Sequence, residues 1–286
     1  MQFFVNSHLH YQISSPATIL CSLSCVRTPG QLVFDESLTT SRQGFRTDLS
    51  VGPEENRFTK LEISEPGELT VQYQATASTQ VSLQPISDVK IEDSPTLHAS
   101  VIPYLFPSRY APADRMRAAA NDLFGHINGQ LNQALAVEDW LYSHLNYQVG
   151  ASNEQTWALD TLEHRAGVCR DFAHLGIAFC RALTIPARYV TAYAFQLQPQ
   201  DFHAVFEVFV NGTWYLIDGT RIAPLNGMIR IAMGRDASDA AVATLFGGVE
   251  GMGISVETML SADENDVFTP ITREDLRSWG KVLAMG

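Results

Sequence analysis

Asn211-Gly212 is the tightest constraint on the path of this chain. Both residue types accept φ > 0, and between two runs of alternating polarity they specify a two-residue type I′ hairpin turn. The first run is residues 203–210 and the second is residues 213–218. A two-residue loop pairs Val210 with Thr213, which sets Asp218 opposite Val205 and His203 opposite Thr220. Side chains on a strand alternate with a period of two, so His203 and Asp218 project from one sheet face as diagonal neighbours. A three-residue loop or an odd bulge would send Asp218 to the other face. The hairpin therefore holds a carboxylate against an imidazole.

The segment Gly167-Val168-Cys169-Arg170-Asp171-Phe172-Ala173-His174 precedes it. From Cys169 onward Phe172, Leu175, Gly176, Phe179 and Ala182 recur at steps of three and four, the pattern of an amphipathic helix. Gly167 ends the preceding element, and Cys169 stands in the first turn. There the unpaired N–H groups and the positive end of the helix dipole favour a thiolate. Cys180, three turns on and beside Ala178 and Phe179, reads as an inert buried residue. Leu183-Thr184-Ile185-Pro186 stops the helix, and residues 187–195 read as a strand.

Composition removes several function classes. The 286 residues carry 19 basic and 31 acidic side chains, a net charge of −12, which argues against nucleic acid or an anionic membrane surface as partner. With 45% hydrophobic and 17% charged residues the chain can bury a core. Four Cys are too few for a disulfide scaffold. The first basic residue is Arg27, so the start lacks the basic region of a secretory signal. Leu23-Ser24-Cys25 faintly resembles a lipoprotein processing site, but the basic start and a continuous apolar run are missing. No stretch reaches membrane-spanning length. The expectation is a soluble cytoplasmic protein with reduced thiols.

Residues 1–105 read as all-β, with runs at 9–13, 18–23, 31–34, 58–63, 68–73 and 80–83. Thr28-Pro29-Gly30, Val51-Gly52-Pro53 and Glu65-Pro66-Gly67 are turn signals, the last a tight hairpin with Pro presetting φ and Gly accepting φ > 0. Strands at this spacing suggest a β-sandwich. His8 and His10 share a strand face, but no further ligand stands at a recognisable spacing, so they read as solvated or packed. Pro95, Pro103, Pro107 and Pro112 form a connector that marks a boundary. Helices are expected over 113–124, under the stripe from Leu131 to Leu145 that includes Leu135, Trp140 and Leu141, and over 156–164. The fold class is α+β: a β-sandwich-like domain over 1–105, then a core over 106–286 with an antiparallel sheet and a helix carrying the Cys.

Taken singly, Cys169 would be a packed thiol, His203 a structural imidazole and Asp218 a turn residue before Gly219. Taken together, the helix start and the hairpin parity favour a thiol triad. Cys169 would attack a carbonyl, His203 would hold it as thiolate and protonate the leaving amine, and Asp218 would orient the imidazole. The Cys169 N–H would donate to the developing oxyanion, with Tyr147 and Gln148 as candidates for the second donor. The same three residues could ligate zinc, but no CxxC or HxxxH pair accompanies them, so no metal or cofactor is expected. His164 reads as helix surface, and Asp171 and His174 as lining the cleft or capping the helix.

Arg165-Ala166-Gly167-Val168-Cys169-Arg170-Asp171-Phe172-Ala173, Ile185-Pro186-Ala187-Arg188-Tyr189-Val190, His203-Ala204 and Asp218 resemble the bacterial transglutaminase-like superfamily. Residues 104–110 resemble the stretch that links a β-domain to the core in that group, and Gly234-Arg235-Asp236-Ala237 is also similar, so the likeness covers nearly the whole chain. Many members have Gly where Thr184 stands and Trp where Val205 stands. The resemblance implies a papain-like core, with the triad carried by Cys169, His203 and Asp218. It also implies acyl transfer on a peptide or protein substrate, hydrolytic rather than cross-linking, since bacterial members are described as candidate cysteine proteases. An amine-incorporating transglutaminase and a non-catalytic peptide-binding module are the alternatives. Nothing resembles the calcium loop of the animal enzymes.

Overall fold

The computed structural model describes residues 1–90, 98–261 and 267–286; Pro95 of the connector lies outside them. The fold is mixed α/β with two large antiparallel sheets. In chain order the first elements are β1 (Gln2–Cys21), β2 (Gln31–Thr40), β3 (Phe45–Val51), β4 (Asn56–Ile63), β5 (Gly67–Thr79) and β6 (Val81–Pro85). Next come α1 (Ala113–Phe124), α2 (Gln130–His144), β7 (Asn146–Tyr147), α3 (Ala158–His164), β8 (Ala166–Gly167) and α4 (Cys169–Ala182). The remainder is β9 (Ala187–Ala194), β10 (Phe202–Val210), β11 (Thr213–Ile217), β12 (Met228–Gly234), α5 (Ala237–Ala240), β13 (Ala243–Leu260), α6 (Arg273–Trp279) and β14 (Lys281–Met285).

The amino-terminal sheet is organised by β1, whose inward residues alternate along most of its 20 residues. The two separate runs expected here are one strand, kinked at the exposed Ser14-Ser15-Pro16. Along one edge β1 pairs with β5 from Gln2 to Ile13 and with β4 from Ala17 to Cys21. Ile13 faces Gly67 and Ala17 faces Ile63, so the register is the same on both sides of the kink. Glu65-Pro66-Gly67 therefore does not close a tight hairpin. It bends one long run that follows β1, and Gly67 takes the bend at φ 137°. A Pro-Gly pair makes a hairpin only when the flanking strands need each other, and here both are paired to β1. β3, absent from the sequence reading, joins β4 across the Gly52 turn.

The other edge of β1 is covered by β13, from Phe3↔Leu260 to Cys21↔Ala243. The core sheet runs β12-β9-β10-β11-β14-β6, with β6 paired to β14 from Val81↔Met285 to Pro85↔Lys281. Each sheet thus borrows a strand from the other side of position 105.

The core sheet is buried on both faces. On one, Tyr189 stacks on His174 of α4 with centroids 5.0 Å apart and Tyr193 lies on Tyr73 of β5 at 6.2 Å. On the other, Val190, Val205, Leu216 and Leu283 pack with Leu276 of α6. The β10–β11 register is Val210↔Thr213 through Phe206↔Ile217, with Asn211 at φ 50° and Gly212 at φ 84° as a type I′ turn requires. The helix α4 is not amphipathic in place: every residue from Asp171 to Ala182 is buried. Its three strongly polar members in that stretch, Asp171, His174 and Arg181, are sealed in by specific partners.

Gly176 sets how closely α4 lies on β10. A Cβ there would come 2.5 Å from Phe206 Cε1 and 3.1 Å from Leu141 Cδ1. Gly176→Val should cost on the order of 1–3 kcal/mol through overpacking, read as a lower urea midpoint. An unchanged midpoint would mean that the helix can ride up from the sheet freely.

Candidate active site

Cys169 is the first residue of α4. The turn before it is held by Asp171, whose Oδ2 accepts the Val168 N–H at 2.8 Å and a bond from the Ser152 hydroxyl. Asp171 Oδ1 is also 3.1 Å from Arg170 Nη2. This carboxylate caps the helix from its third position. Gly167 makes room for it, since a Cβ at Gly167 would lie 2.7 Å from Asp171 Cβ. β8 at this point pairs in parallel with β7, which sets Tyr147 beside Gly167.

Three of the four thiols are buried, and burial pushes Cys21 and Cys25 up to about 12 and Cys180 higher still. Cys169 alone is partly exposed. Half-exposed Tyr147 lies near it. Partial burial raises the Tyr147 phenol, the nearby Cys169 sulfur raises it further, and the Cys169 backbone N–H bears on its oxygen.

His203 and Asp218 are almost fully buried, and His203 Nε2 lies 2.9 Å from Asp218 Oδ2. Asp218 Oδ1 accepts the Thr220 N–H at 2.8 Å and the Thr220 hydroxyl at 2.6 Å. Burial pulls the imidazole down, but the Asp218 carboxylate and the Cys169 sulfur outweigh it and raise His203 to about 10. Burial pushes the Asp218 carboxyl up, and His203 and Thr220 bring it net below its ordinary value. With Nε2 committed to Asp218, Nδ1 is the nitrogen left for the thiol; among the described residues it has no hydrogen-bond partner. The structure so gathers Cys169, His203 and Asp218. Such a set can keep a thiolate beside an imidazolium and return the proton to a leaving group.

The other sequence candidates fall elsewhere. Gln148 gives its N–H to the Gly167 carbonyl. His10 Nδ1 lies 3.2 Å from the Thr70 hydroxyl, in the amino-terminal sheet. His174 does not line a cleft. It is fully buried between Tyr110 and Tyr189, and its Nε2 accepts the Ala237 N–H at 3.1 Å. Burial lowers it to about 3, so it stays neutral. Asp236 binds the Tyr110 N–H at 2.9 Å, and Arg181 donates to the carbonyls of Phe106, Ala187 and Arg235. The connector and the Gly234–Ala237 stretch therefore meet behind α4 as scaffold.

Glu138 of α2 was missed. Its Oε1 accepts the Asp218 N–H at 3.3 Å, and its Oε2 lies 2.6 Å from Arg273 Nε of α6. The available signal was its place three residues from Leu135 and from Leu141, a carboxylate on an apolar stripe.

Comparison with known proteins adds to this geometry. Residues 117–219 match the model of the transglutaminase-like superfamily, and residues 1–96 match that of the bacterial transglutaminase N-terminal domain. The crystal structure of a candidate cysteine protease from Cytophaga hutchinsonii is 41% identical, with a TM-score of 0.94 over 100% of this chain and 98% of that one. An uncharacterised protein of Mycobacterium leprae (strain TN) is 29% identical over 180 residues, 59% of this chain and 60% of that protein.

The raised His203 value carries a sign. Its folded value of about 10 exceeds the ordinary 6.5, so protonated His203 contributes stability that is complete below pH 6.5 and lost as pH rises through about 10. Asp218→Asn removes the main opposing charge and leaves burial in place. The imidazole should then titrate well below 10, pulled down by burial with only the Cys169 sulfur left to oppose it, followed through its ring protons by NMR. A wild-type titration in the variant would refute Asp218 as the cause.

Proposed function

Because the chain belongs to the transglutaminase-like superfamily, we propose that it is a cysteine-dependent acyl-transfer enzyme acting on peptide or amide bonds through Cys169, His203 and Asp218. The observation that carries this reading is one partly exposed thiol at a helix start, set beside an imidazole whose far nitrogen is bound to a buried carboxylate.

The Cys169 thiolate attacks the carbonyl carbon, and the oxygen takes up the charge near the Cys169 N–H, where the Tyr147 phenol must give way or share. Imidazolium His203 then gives its Nδ1 proton to the departing amine as the C–N bond breaks, leaving a thioester. Neutral His203 next takes a proton from water, whose oxygen attacks the thioester, and the carboxylic acid leaves as the thiol is restored. Asp218 keeps the imidazole in the orientation that presents Nδ1 and stabilises its charged form. Hydrolysis is favoured over amine incorporation by the likeness to the Cytophaga hutchinsonii protein, itself described as a candidate cysteine protease. The substrate class is a peptide or protein.

The test is a cysteine-directed activity probe followed by peptide-library profiling. Cys169→Ala should abolish labelling and lower turnover by on the order of 10³-fold or more. Iodoacetamide should modify Cys169 well before Cys180 at neutral pH. Equal reactivity of the two thiols would favour a non-catalytic module. Products carrying an added amine rather than water would reassign the enzyme as a transglutaminase.

A further inference from the structure

The ladder between β10 and β11 ends at Phe206↔Ile217, one residue short of Asp218. In the alternation of an antiparallel pair Asp218 is a non-hydrogen-bonded position, so its N–H is directed away from β10. On that outer side β14 pairs with β11 only at Tyr215. The sheet thus supplies no partner for the Asp218 N–H, and Glu138 does, at 3.3 Å.

Glu138 is 1% exposed, and Arg273, itself 6% exposed, closes on its other oxygen at 2.6 Å. Burial outweighs the nearby Arg273 and Arg221 and, with Asp218 and Asp139, raises the Glu138 carboxyl to about 8, where it still offers Oε1 as an acceptor. Arg221 is taken by Asp139 and by Glu274, the latter at 2.9 Å. α2 also presses directly on the turn, since a Cβ at Gly219 would lie 2.9 Å from Leu141 Cδ1. An apolar side chain would fill the Glu138 position without the desolvation that a buried carboxylate incurs. What it would not do is accept a hydrogen bond from Asp218.

We propose that Glu138 is a positioning residue for the Cys169–His203–Asp218 set: its carboxyl group, with Arg273 behind it, accepts the Asp218 N–H and fixes the Asp218 backbone and thereby the Asp218–His203 hydrogen bond. The proposal rests on the triad reading above. It makes α2 and α6 part of the apparatus that keeps His203 protonated, although neither touches the thiol.

The experiment compares two double variants of the full chain, Glu138→Gln/Arg273→Met and Glu138→Met/Arg273→Met. Both remove the buried ion pair, and only the first keeps an acceptor for the Asp218 N–H. The readout is the rate of Cys169 alkylation by iodoacetamide against pH, with peptide mapping to identify the site. At pH 7 the Met variant should be alkylated about ten-fold more slowly than the Gln variant, its onset moving to higher pH as His203 loses its fixed partner. Identical profiles in the two variants overturn the proposal, because loss of packing or stability affects both alike. Should the Met variant not fold, hydrogen exchange on the wild type decides. The Asp218 amide exchanges as slowly as the β10–β11 ladder amides if Glu138 holds it, and at a free-loop rate if the proposal is wrong. A wild-type Cys169 with the pH profile of an ordinary thiol would instead bring down the triad reading, and this proposal with it.

Discussion

Glu207, in the middle of β10, is closed on by two arginines from one side of the sheet, one on the adjacent β9 and one on β12 beyond it. Arg188 Nε of β9 lies 2.7 Å from Oε2, and Arg230 Nη1 of β12 lies 3.2 Å from Oε1. All three are buried, and the arginines hold Glu207 below its ordinary value against the push of burial. The outer nitrogens of the arginines reach further. Arg188 Nη1 takes Glu54 of the β3–β4 turn at 2.7 Å, and Arg230 Nη2 takes the Thr28 hydroxyl at 3.1 Å and the Gly286 carbonyl. One carboxylate thus fixes the order of three core strands and ties the amino-terminal sheet and the last residue to them. Removing any one partner would strand a buried charge, a loss of about 3–5 kcal/mol in comparable cases.

The candidate site inherits its geometry from this arrangement. β9 and β10 are held in register at Arg188↔Glu207, which places His203 at the other end of the same ladder, opposite Ala192. The thiol comes from a different layer, through a helix seated on the sheet at Gly176 and capped by Asp171. The carboxylate comes from the far strand of the hairpin. Three elements converge at one point because each is separately constrained.

Much of this was legible because it follows from local chemistry. Asn211-Gly212 dictates a turn type, a turn type dictates a register, and the register sets His203 and Asp218 on one face. Cys169 at a helix start follows from the spacing of Phe172, Leu175, Phe179 and Ala182. What resisted reading was whatever depends on a distant partner. Glu65-Pro66-Gly67 looks like a hairpin until β1 is seen to run past both flanks. Helix α4 looks amphipathic because His174 and Arg181 are polar, and only the sites that receive them, the Ala237 N–H and the carbonyls of Phe106, Ala187 and Arg235, show why they can be buried. Glu138 follows the same rule, since its partners Asp218 and Arg273 lie 80 and 135 positions away. The β-strands of the amino-terminal region showed in alternating runs; the strands exchanged between the two sheets did not show, since pairing across 200 residues leaves no local trace.

The exchange of β6 and β13 bears on how the chain is made. A ribosome delivers residues 1–105 well before residues 243–260, so β1 emerges with one long edge bare and its proper neighbour still unsynthesised. An unpaired edge of that length invites association with other chains. Its closure must wait for the carboxy-terminal third, and a contact spanning such a separation forms slowly. The first third of the chain is therefore complete in sequence long before it can be complete in structure.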